Sequence, residues 1–354
     1  MMAALTPSKT HSVARKQGGL SLIELMIALL LSTFLTLGIL TMYLDTTQTS
    51  QVSRSLARVQ ESGRIALDLV ARDLRSTGFA GCAYPLQELA PAFDAAPSLD
   101  GNFYESSLRG AREGGGGWND MTANVGVARL GDDAVGGSDA FQIRRASGPG
   151  VILDADMTTG SSNISTDSDQ AVTNFRLGNN ALITNCVTAD VFTVGDPDGI
   201  SDNEINHQPL SFPYREGSRV LQFNTVTYWV GDTGRTDQRG NAVWSLYQNG
   251  LEVVTGIERL QVLYGVREGG GNLRFDNAND LGVDDWREIV SVQVGLLISD
   301  EQNVLDTPDT KTYDLPGVSV QPAGTAGADA TYPADGRLRT TFAMTVNLRN
   351  NIEQ

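Results

Sequence analysis

Residues 18–44 read GGLSLIELMIALLLSTFLTLGILTMYL and follow a polar, basic N-terminal stretch. Of the 25 residues from 20 to 44, 18 are apolar, and Glu24 is the only charged residue among them. A helix needs about 20 apolar residues to cross a bilayer, so this run predicts one membrane-spanning helix. A carboxylate inside such a helix costs about 2.5–3.5 kcal/mol on insertion scales, and Glu24 therefore requires an explanation of its own.

The flanks of the apolar run predict its orientation. Lys9, Arg15 and Lys16 precede the run and Asp45 follows it, which places the N-terminus in the cytoplasm and the rest of the chain in the periplasm. A secretory signal peptide would end in a small-residue, A-x-A-like site, whereas residues 41–46 read TMYLDT. A plain signal anchor would explain the run but not its carboxylate.

A helical pattern continues beyond the apolar run. Apolar or small residues recur every three or four positions, at Val52, Leu56, Val59, Gly63, Ala66, Val70 and Leu74. This period predicts one buried face of a helix that ends at Gly78. Arg64 and Asp68, and Asp68 and Arg72, are spaced as i,i+4 pairs of opposite charge and predict an exposed opposite face. The stripe is too short for a coiled coil, so we expect it to pack on a following sheet.

After residue 78 the pattern changes to that of β-strands. Alternating or β-branched segments occur at residues 140–144, 220–230, 242–247, 251–254, 257–266, 289–299 and 342–348. Asn249-Gly250 separates two of them and is a strong hairpin signal. Consecutive strands without intervening helices predict an antiparallel sheet and an α+β fold. The Pro-, Gly- and Ala-rich residues 321–334 are expected to form a mobile loop.

Composition excludes several classes of function. The 354 residues include 26 Lys and Arg against 42 Asp and Glu, a formal charge of −16, which argues against a nucleic-acid partner. Two His and two Cys exclude most zinc sites. No G-x-S-x-G or H-E-x-x-H motif is present, and none of the three Lys follows a Gly-rich loop. We therefore predict that the chain is not an enzyme.

One acidic loop is a candidate calcium site. Its oxygen ligands would be Asp196, Asp198, Asp202 and Glu204, and a second acidic loop lies at residues 276–285. The first loop departs from the EF-hand pattern, because its Gly is misplaced and an Ile occupies the fifth position. We expect a solvated turn in each loop, with no metal and no cofactor.

The segment around Glu24 resembles the class III signal of type IV prepilins and pseudopilins. The basic leader, Gly19, the Glu at the fifth position after it and the apolar run all match. The resemblance implies that a prepilin peptidase cuts between Gly19 and Leu20, that Leu20 is then N-methylated, and that Glu24 acts in subunit assembly. Pairing of the Glu24 carboxylate with the α-ammonium of a neighbouring subunit would offset the desolvation cost of both charges.

Motifs in the rest of the chain resemble minor pilins of the PilW type. They are Ser62-Gly63-Arg64, Arg72-Asp73-Leu74-Arg75, Gly78-Phe79, Gly81-Cys82, Leu260-Gln261-Val262-Leu263-Tyr264-Gly265, and Trp286 ahead of residues 290–297. The resemblance implies a pilin fold, in which a long N-terminal helix packs on an antiparallel sheet with long loops. It also implies a structural subunit of the pilus tip complex that helps initiate assembly and supports twitching motility. Its partners would be other minor pilins, the major pilin and a tip adhesin.

The expected organisation has four parts: a leader at 1–19, a transmembrane half-helix at 20–44, a soluble half-helix at 45–78 and an extracytoplasmic β-rich domain at 79–354. The protein would begin in the inner membrane and end in a pilus on the cell surface. One alternative is a J-type pseudopilin of a type II secretion pseudopilus, which shares the helix motif but is usually shorter. A membrane-anchored extracytoplasmic ligand-binding module or enzyme is another.

Cys82 and Cys186 are both expected on the extracytoplasmic side, where disulfides persist. A bridge between them would close a loop of about 100 residues and stabilise the domain by about 4–5 kcal/mol in the chain-entropy account. Two separate thiols are the alternative.

Overall fold

The computed structural model describes residues 19, 21–82, 107–112, 134–160, 163–166, 175, 178–195, 203–207, 209–282 and 284–349. Its one long helix, α1, covers Leu22–Arg75. The chain divides into two units, Met1–Gln51 and Val52–Gln354, so the first part of α1 is described separately from the second.

The first part of α1 is apolar and fully exposed within its unit. The Ser21 carbonyl accepts the backbone N–H groups of Glu24 and Leu25, each at 3.1 Å, and so starts the helix. Every side chain from residue 22 to residue 46 is exposed. The hydroxyls of Thr33 and Thr36 donate to carbonyls one turn earlier, which satisfies them where lipid offers no partner. By length and composition the helix is able to span a membrane, as predicted.

The second part of α1 buries one face against sheets. The buried residues are Ser55, Val59, Gly63, Ala66, Val70, Ala71, Asp73 and Leu74. The predicted stripe is thus confirmed from Val59 onward, but Leu56 is 39% exposed, because Ser55 occupies the buried position one residue earlier. The helix stops ahead of Gly78, whose φ of 73° a residue with a side chain would adopt only under strain.

Sixteen strands lie in the described part of the chain. They are β1 Leu108–Arg112, β2 Asp139–Ile152, β3 Ile164–Ser165, β4 Asn180–Thr184, β5 Ala189–Thr193, β6 Glu204–Ile205, β7 Arg219–Thr236, β8 Ala242–Gln248, β9 Leu251–Thr255, β10 Ile257–Arg267, β11 Leu273–Asp276, β12 Ile289–Asn303, β13 Tyr313–Leu315, β14 Val318–Pro322, β15 Ala330–Tyr332 and β16 Arg337–Asn347. All seven segments predicted from the sequence are strands, and the fold is α+β as predicted.

The strands form two larger and two smaller sheets, not the one meandering sheet that the sequence pattern predicted. A seven-stranded sheet has the order β1-β2-β7-β4-β5, with β8 on β7 and β9 on β8, and a four-stranded sheet has the order β11-β10-β12-β16. The smaller sheets are β13-β14-β15 and β3-β6. Every pairing is antiparallel except that of β14 with β15. The long strand β7 pairs with three neighbours, and β2 contacts β10, so the two larger sheets meet there.

The prediction of a loop at residues 321–334 was wrong for residues 330–332. Residues 330–332 of this segment form strand β15, in which Ala330 and Tyr332 are buried. The Tyr332 hydroxyl donates to the carbonyl of Lys311 at 2.6 Å. Gly324 and Gly327 lie in the turn between β14 and β15, while the strand itself is too short to show a period.

The main core lies between α1 and the inner faces of the two larger sheets. Helix residues Val59, Ala66, Val70 and Leu74 share it with residues of β1, β2, β7, β8, β10, β12 and β16. The helix approaches β16 closely at Gly63, where a Cβ would lie 2.6 Å from the Phe342 ring.

The predicted disulfide is present. Cys82 and Cys186 are bonded, with their Cα atoms 4.7 Å apart and a sequence separation of 104. The bond joins the segment after α1 to the turn between β4 and β5. In that turn the Asn185 side chain accepts the backbone N–H groups of Val187 and Thr188.

Candidate functional site: the N-terminal segment and the helix–sheet contacts of the domain

The N-terminal segment presents its functional candidates to the surroundings. Gly19 is exposed and has no atom within 4 Å of the place a Cβ would occupy. Leu20 lies outside the described residues. Glu24 is exposed in the first turn of α1, where a negative charge is favoured by the helix dipole. The roles of these three residues in cleavage, methylation and assembly remain predictions.

Glu24 is the chemical exception on this surface. It is the one charged side chain among exposed apolar residues from 22 to 44. Within a bilayer such a carboxylate is stabilised by a basic partner, and a packed neighbouring helix could supply one. The surface therefore suits association of helices in lipid.

A buried carboxylate fixes the other end of α1 to the sheets. The Asp73 side chain, 6% exposed, accepts from Arg145 at 2.8 Å, from the Tyr228 hydroxyl at 2.6 Å and from Gln248 at 2.9 Å. Arg145 also donates to the Ser76 hydroxyl at 2.6 Å. Burial and the bond to Asp73 raise the pKa of Tyr228 well above its ordinary value, so the hydroxyl stays a donor. The junction holds the helix end on β2, β7 and β8.

A second contact fixes α1 near the start of its buried part. Arg58 donates to both carboxylate oxygens of Asp300 on β12, at 3.1 and 2.5 Å, and to Gln302 at 3.1 Å. The hydrogen bonds to Asp300 raise the pKa of Arg58. Such a two-bond pair specifies geometry as well as contributing energy. The partners are 242 residues apart in sequence, so no local pattern could have indicated the contact.

A buried ionic network joins the loops at one end of the four-stranded sheet. Two arginines on β16 meet four carboxylates, those of Asp237, Glu258, Asp309 and Asp335. Arg339 binds Glu258 through two bonds of 2.7 and 2.9 Å, and Arg337 lies 3.2 Å from Asp237. Every carboxylate has a cationic partner, which indicates a structural role. Removing either arginine would leave uncompensated buried charge.

The calcium prediction is largely beyond the described residues. Asp196, Asp198 and Asp202 lie outside them, and Glu204 accepts from Asn163 at 3.4 Å. In the second acidic loop Arg274 forms ion pairs with Asp276 and, at 3.3 Å, with Asp285. Within the described part of the chain no group of three or more His, Cys, Asp or Glu side chains could hold a metal ion.

Two family models match the chain. The prokaryotic N-terminal methylation motif matches residues 14–40, which include Gly19 and Glu24. The type IV pilus-assembly protein W model matches residues 228–350, which include Tyr228, Gln248 and the ionic network. No curated protein matches the chain. Among solved structures, a type IV-like pilin from Thermus thermophilus is similar over 52% of this chain and 92% of its own, at 16% identity and a TM-score of 0.20.

The methylation motif lies on the exposed apolar helix that anchors the chain in a membrane, and the second model covers the four-stranded sheet and part of the seven-stranded sheet. These matches indicate a structural protein that interacts with other pilus components. Together they support a type IV pilus minor pilin of the PilW type.

Proposed function

We propose that this chain helps to initiate type IV pilus assembly and forms part of the pilus tip complex. The observation that carries the proposal is the position of Glu24, in the first turn of an exposed apolar helix within the matched methylation motif. The description of the second matched family as a pilus-assembly protein supports an assembly role. Other minor pilins, the major pilin and a tip adhesin are the proposed partners.

The proposed sequence of events begins in the inner membrane. A prepilin peptidase removes residues 1–19 on the cytoplasmic side, and the new α-amine at Leu20 is methylated. The Glu24 carboxylate of one subunit then pairs with the α-ammonium of its neighbour, which lowers the cost of both charges in lipid. The β-rich domain stays in the periplasm until the assembled complex reaches the cell surface. No cofactor or nucleic acid takes part.

Processing is tested with Gly19→Val. The peptidase must accept a residue without a side chain at this position, so the variant should remain unprocessed. N-terminal sequencing of the wild type should begin at N-methylated Leu20. A mature wild-type chain that begins near Asp45 would instead identify a secretory protein and overturn the proposal.

Assembly is tested with Glu24→Ala in cells that lack the wild-type gene. The variant should insert and be processed, because it loses only an intramembrane charge, yet pilus number should fall about tenfold or more. Asp45→Ala, an exposed acid just beyond the apolar run, is the matched control and should restore pili. Normal piliation by Glu24→Ala contradicts the proposal. Intact pili with a defect in protein secretion would assign the chain to a pseudopilus.

A further inference from the structure

The exposed side of α1 within the domain unit carries a regular stripe, which we name the arginine stripe. Its members are Arg54, Arg58, Glu61, Ile65, Asp68, Arg72 and Arg75. They are separated alternately by four and three residues, so they lie in one line along the helix. Ile65, at the centre, is 49% exposed. A line with this spacing and an apolar centre is the surface with which helices contact other helices or sheets.

Most arginines of this surface have no partner in their own chain. Arg58 is bound to Asp300 and Gln302, but Arg54, Arg72, Arg75 and the flanking Arg64 have no hydrogen bond or ion pair from their side chains within the described part of the chain. The i,i+4 pairs of Asp68 that the sequence suggested are not formed, although these side chains are exposed as predicted. Four unpaired guanidinium groups and two carboxylates remain, a net charge of +2.

This basic surface contrasts with the rest of the molecule. Residues 76–354 contain 37 Asp and Glu against 18 Lys and Arg. A basic line with an exposed Ile at its centre thus lies on an otherwise acidic protein. Complementary charge steers and orients association, so an acidic surface is the chemistry that fits here.

A second copy of this chain does not fit the stripe symmetrically. Two parallel stripes in register would place each charge opposite the same charge. Two antiparallel stripes centred on Ile65 would place Arg54 opposite Arg75, and Glu61 opposite Asp68. Both arrangements oppose like charges, which is destabilising. Symmetric pairing of two copies through the stripe is therefore unfavourable, which favours a different chain as the occupant.

A lipid surface fits less well than a protein. The stripe covers 21 residues after Arg54, about 31 Å along the helix. The headgroup layer of a bilayer is about 5–8 Å thick on each side, so it would face about one turn of a helix that crosses it. An acidic protein surface can contact the whole length.

We propose that the arginine stripe of α1 docks the acidic surface of a neighbouring, non-identical pilus subunit, with Ile65 filling an apolar position between the ion pairs. The inference rests on the proposed function. It adds a site in the extracytoplasmic domain that is separate from Glu24 and the membrane helix.

The test uses the full-length chain in detergent, co-expressed with the minor and major pilins of the same organism. Arg72→Glu with Arg75→Glu should lower the amount of co-purified pilin at least tenfold. Arg215→Glu with Arg219→Glu, which changes two exposed arginines by the same charge, is the matched control and should retain it. Capture by the wild type should weaken as salt rises from 50 to about 500 mM, because exposed ion pairs are screened. A compensating Asp→Arg change in the captured pilin should restore binding to the Arg72→Glu, Arg75→Glu double variant.

Failure of the docking surface is distinguishable from failure of the proposed function. A wild-type chain that captures no pilin contradicts the proposed function itself. Capture that is equal for the wild type and the stripe variant overturns the docking surface alone. If the stripe variant is no longer retained on phosphatidylglycerol-containing vesicles but captures pilin as the wild type does, the stripe contacts lipid. If the wild type self-associates and the stripe variant does not, the stripe is a contact between copies of this chain. Either the lipid result or the self-association result would overturn the proposal.

Discussion

Gly63 is a residue at which α1 lies close to a sheet. A Cβ there would lie 2.6 Å from the Phe342 ring, which is half-buried on β16. Alanine favours the helix by about 1 kcal/mol over glycine, but overpacking costs about 1–3 kcal/mol. We expect Gly63→Ala to destabilise the domain by up to about 2 kcal/mol, measured by thermal unfolding of the full chain in detergent.

The Phe342 ring provides the control for this prediction. When Phe342→Ala removes the clash, the helix preference should dominate and Gly63→Ala should become neutral or stabilising. A double-mutant cycle measures this coupling directly. A higher unfolding temperature for the single variant Gly63→Ala would show that the close contact with Phe342 does not destabilise this variant.

Asp139 is the residue with the most informative titration. It lies at the contact of β2 with β10, where one carboxylate oxygen accepts the Val262 N–H at 2.8 Å and the other has no partner among the described residues. Burial raises the pKa of Asp139 to about 7, although the bond from Val262 and the charge of Arg112 oppose this. An unfolded chain has an Asp pKa of about 3.9.

The pH dependence of stability follows from these two pKa values. Between about pH 4 and pH 7 the folded chain holds a proton that the unfolded chain has lost, so the free energy of unfolding should fall as pH rises through this window. Asp139→Asn keeps an acceptor for the Val262 N–H but cannot ionise. In urea unfolding at a series of pH values, the free energy of unfolding of this variant should therefore depend less on pH than that of the wild type. The difference between the two slopes should correspond to at most one proton. The exposed Asp314→Asn should leave the slope unchanged, and an unchanged slope for Asp139→Asn would contradict the prediction.

At the scale of elements, the disulfide joins two segments that are 104 residues apart in the sequence. Cys82 follows α1, and Cys186 lies in the turn between β4 and β5. Closing a loop of this length contributes about 4–5 kcal/mol in the chain-entropy account. Cys82→Ser should lower the free energy of unfolding by a few kcal/mol without abolishing partner binding.

Reduction of the wild type is the matched comparison for the disulfide. Wild-type protein in dithiothreitol should unfold at the denaturant concentration at which Cys82→Ser unfolds, because both lack the same constraint. Non-reducing mass spectrometry should detect no free thiol in the untreated chain. Two alkylated thiols there would show that the bridge does not form in the cell.

At the scale of the whole molecule, net charge predicts which partners are repelled. Without residues 1–19 the chain would contain 23 Lys and Arg against 42 Asp and Glu, a formal charge of −19. Polyanions should be repelled within about a Debye length, ~8 Å at physiological salt. The arginine stripe is short and is interrupted by Glu61 and Asp68, so it is a poor match for a continuous phosphate backbone.

A titration with duplex DNA checks this expectation. The full chain in detergent at low salt should show no binding at micromolar concentrations, while capture of pilin subunits continues. The Arg72→Glu, Arg75→Glu variant should behave as the wild type does toward DNA. Micromolar DNA binding that weakens steeply with salt, without pilin capture, would replace the proposed protein partners with a nucleic acid.

Local sequence patterns were sufficient to predict the helix, the longer strands and the disulfide. Apolar content and a 3.6-residue period located α1, and Asn249-Gly250 located the hairpin of β8 and β9, where both residues have positive φ. The cysteine pair followed from its number and compartment. Short strands such as β3, β6 and β13 have two or three residues, fewer than a period needs, and were not detected.

The sequence by itself thus determined a membrane-crossing helix that continues into an α+β domain, because each of these features depends on the pattern of residues close together in the chain. Only the tertiary structure decided how the pieces are held. Asp73 accepts hydrogen bonds from Tyr228 and Gln248, which are more than 150 residues away in the sequence. Arg58 binds Asp300, and Gly63 leaves space for the Phe342 ring. These contacts depend on how the sheets are stacked and registered, and no spacing along the chain encodes that arrangement.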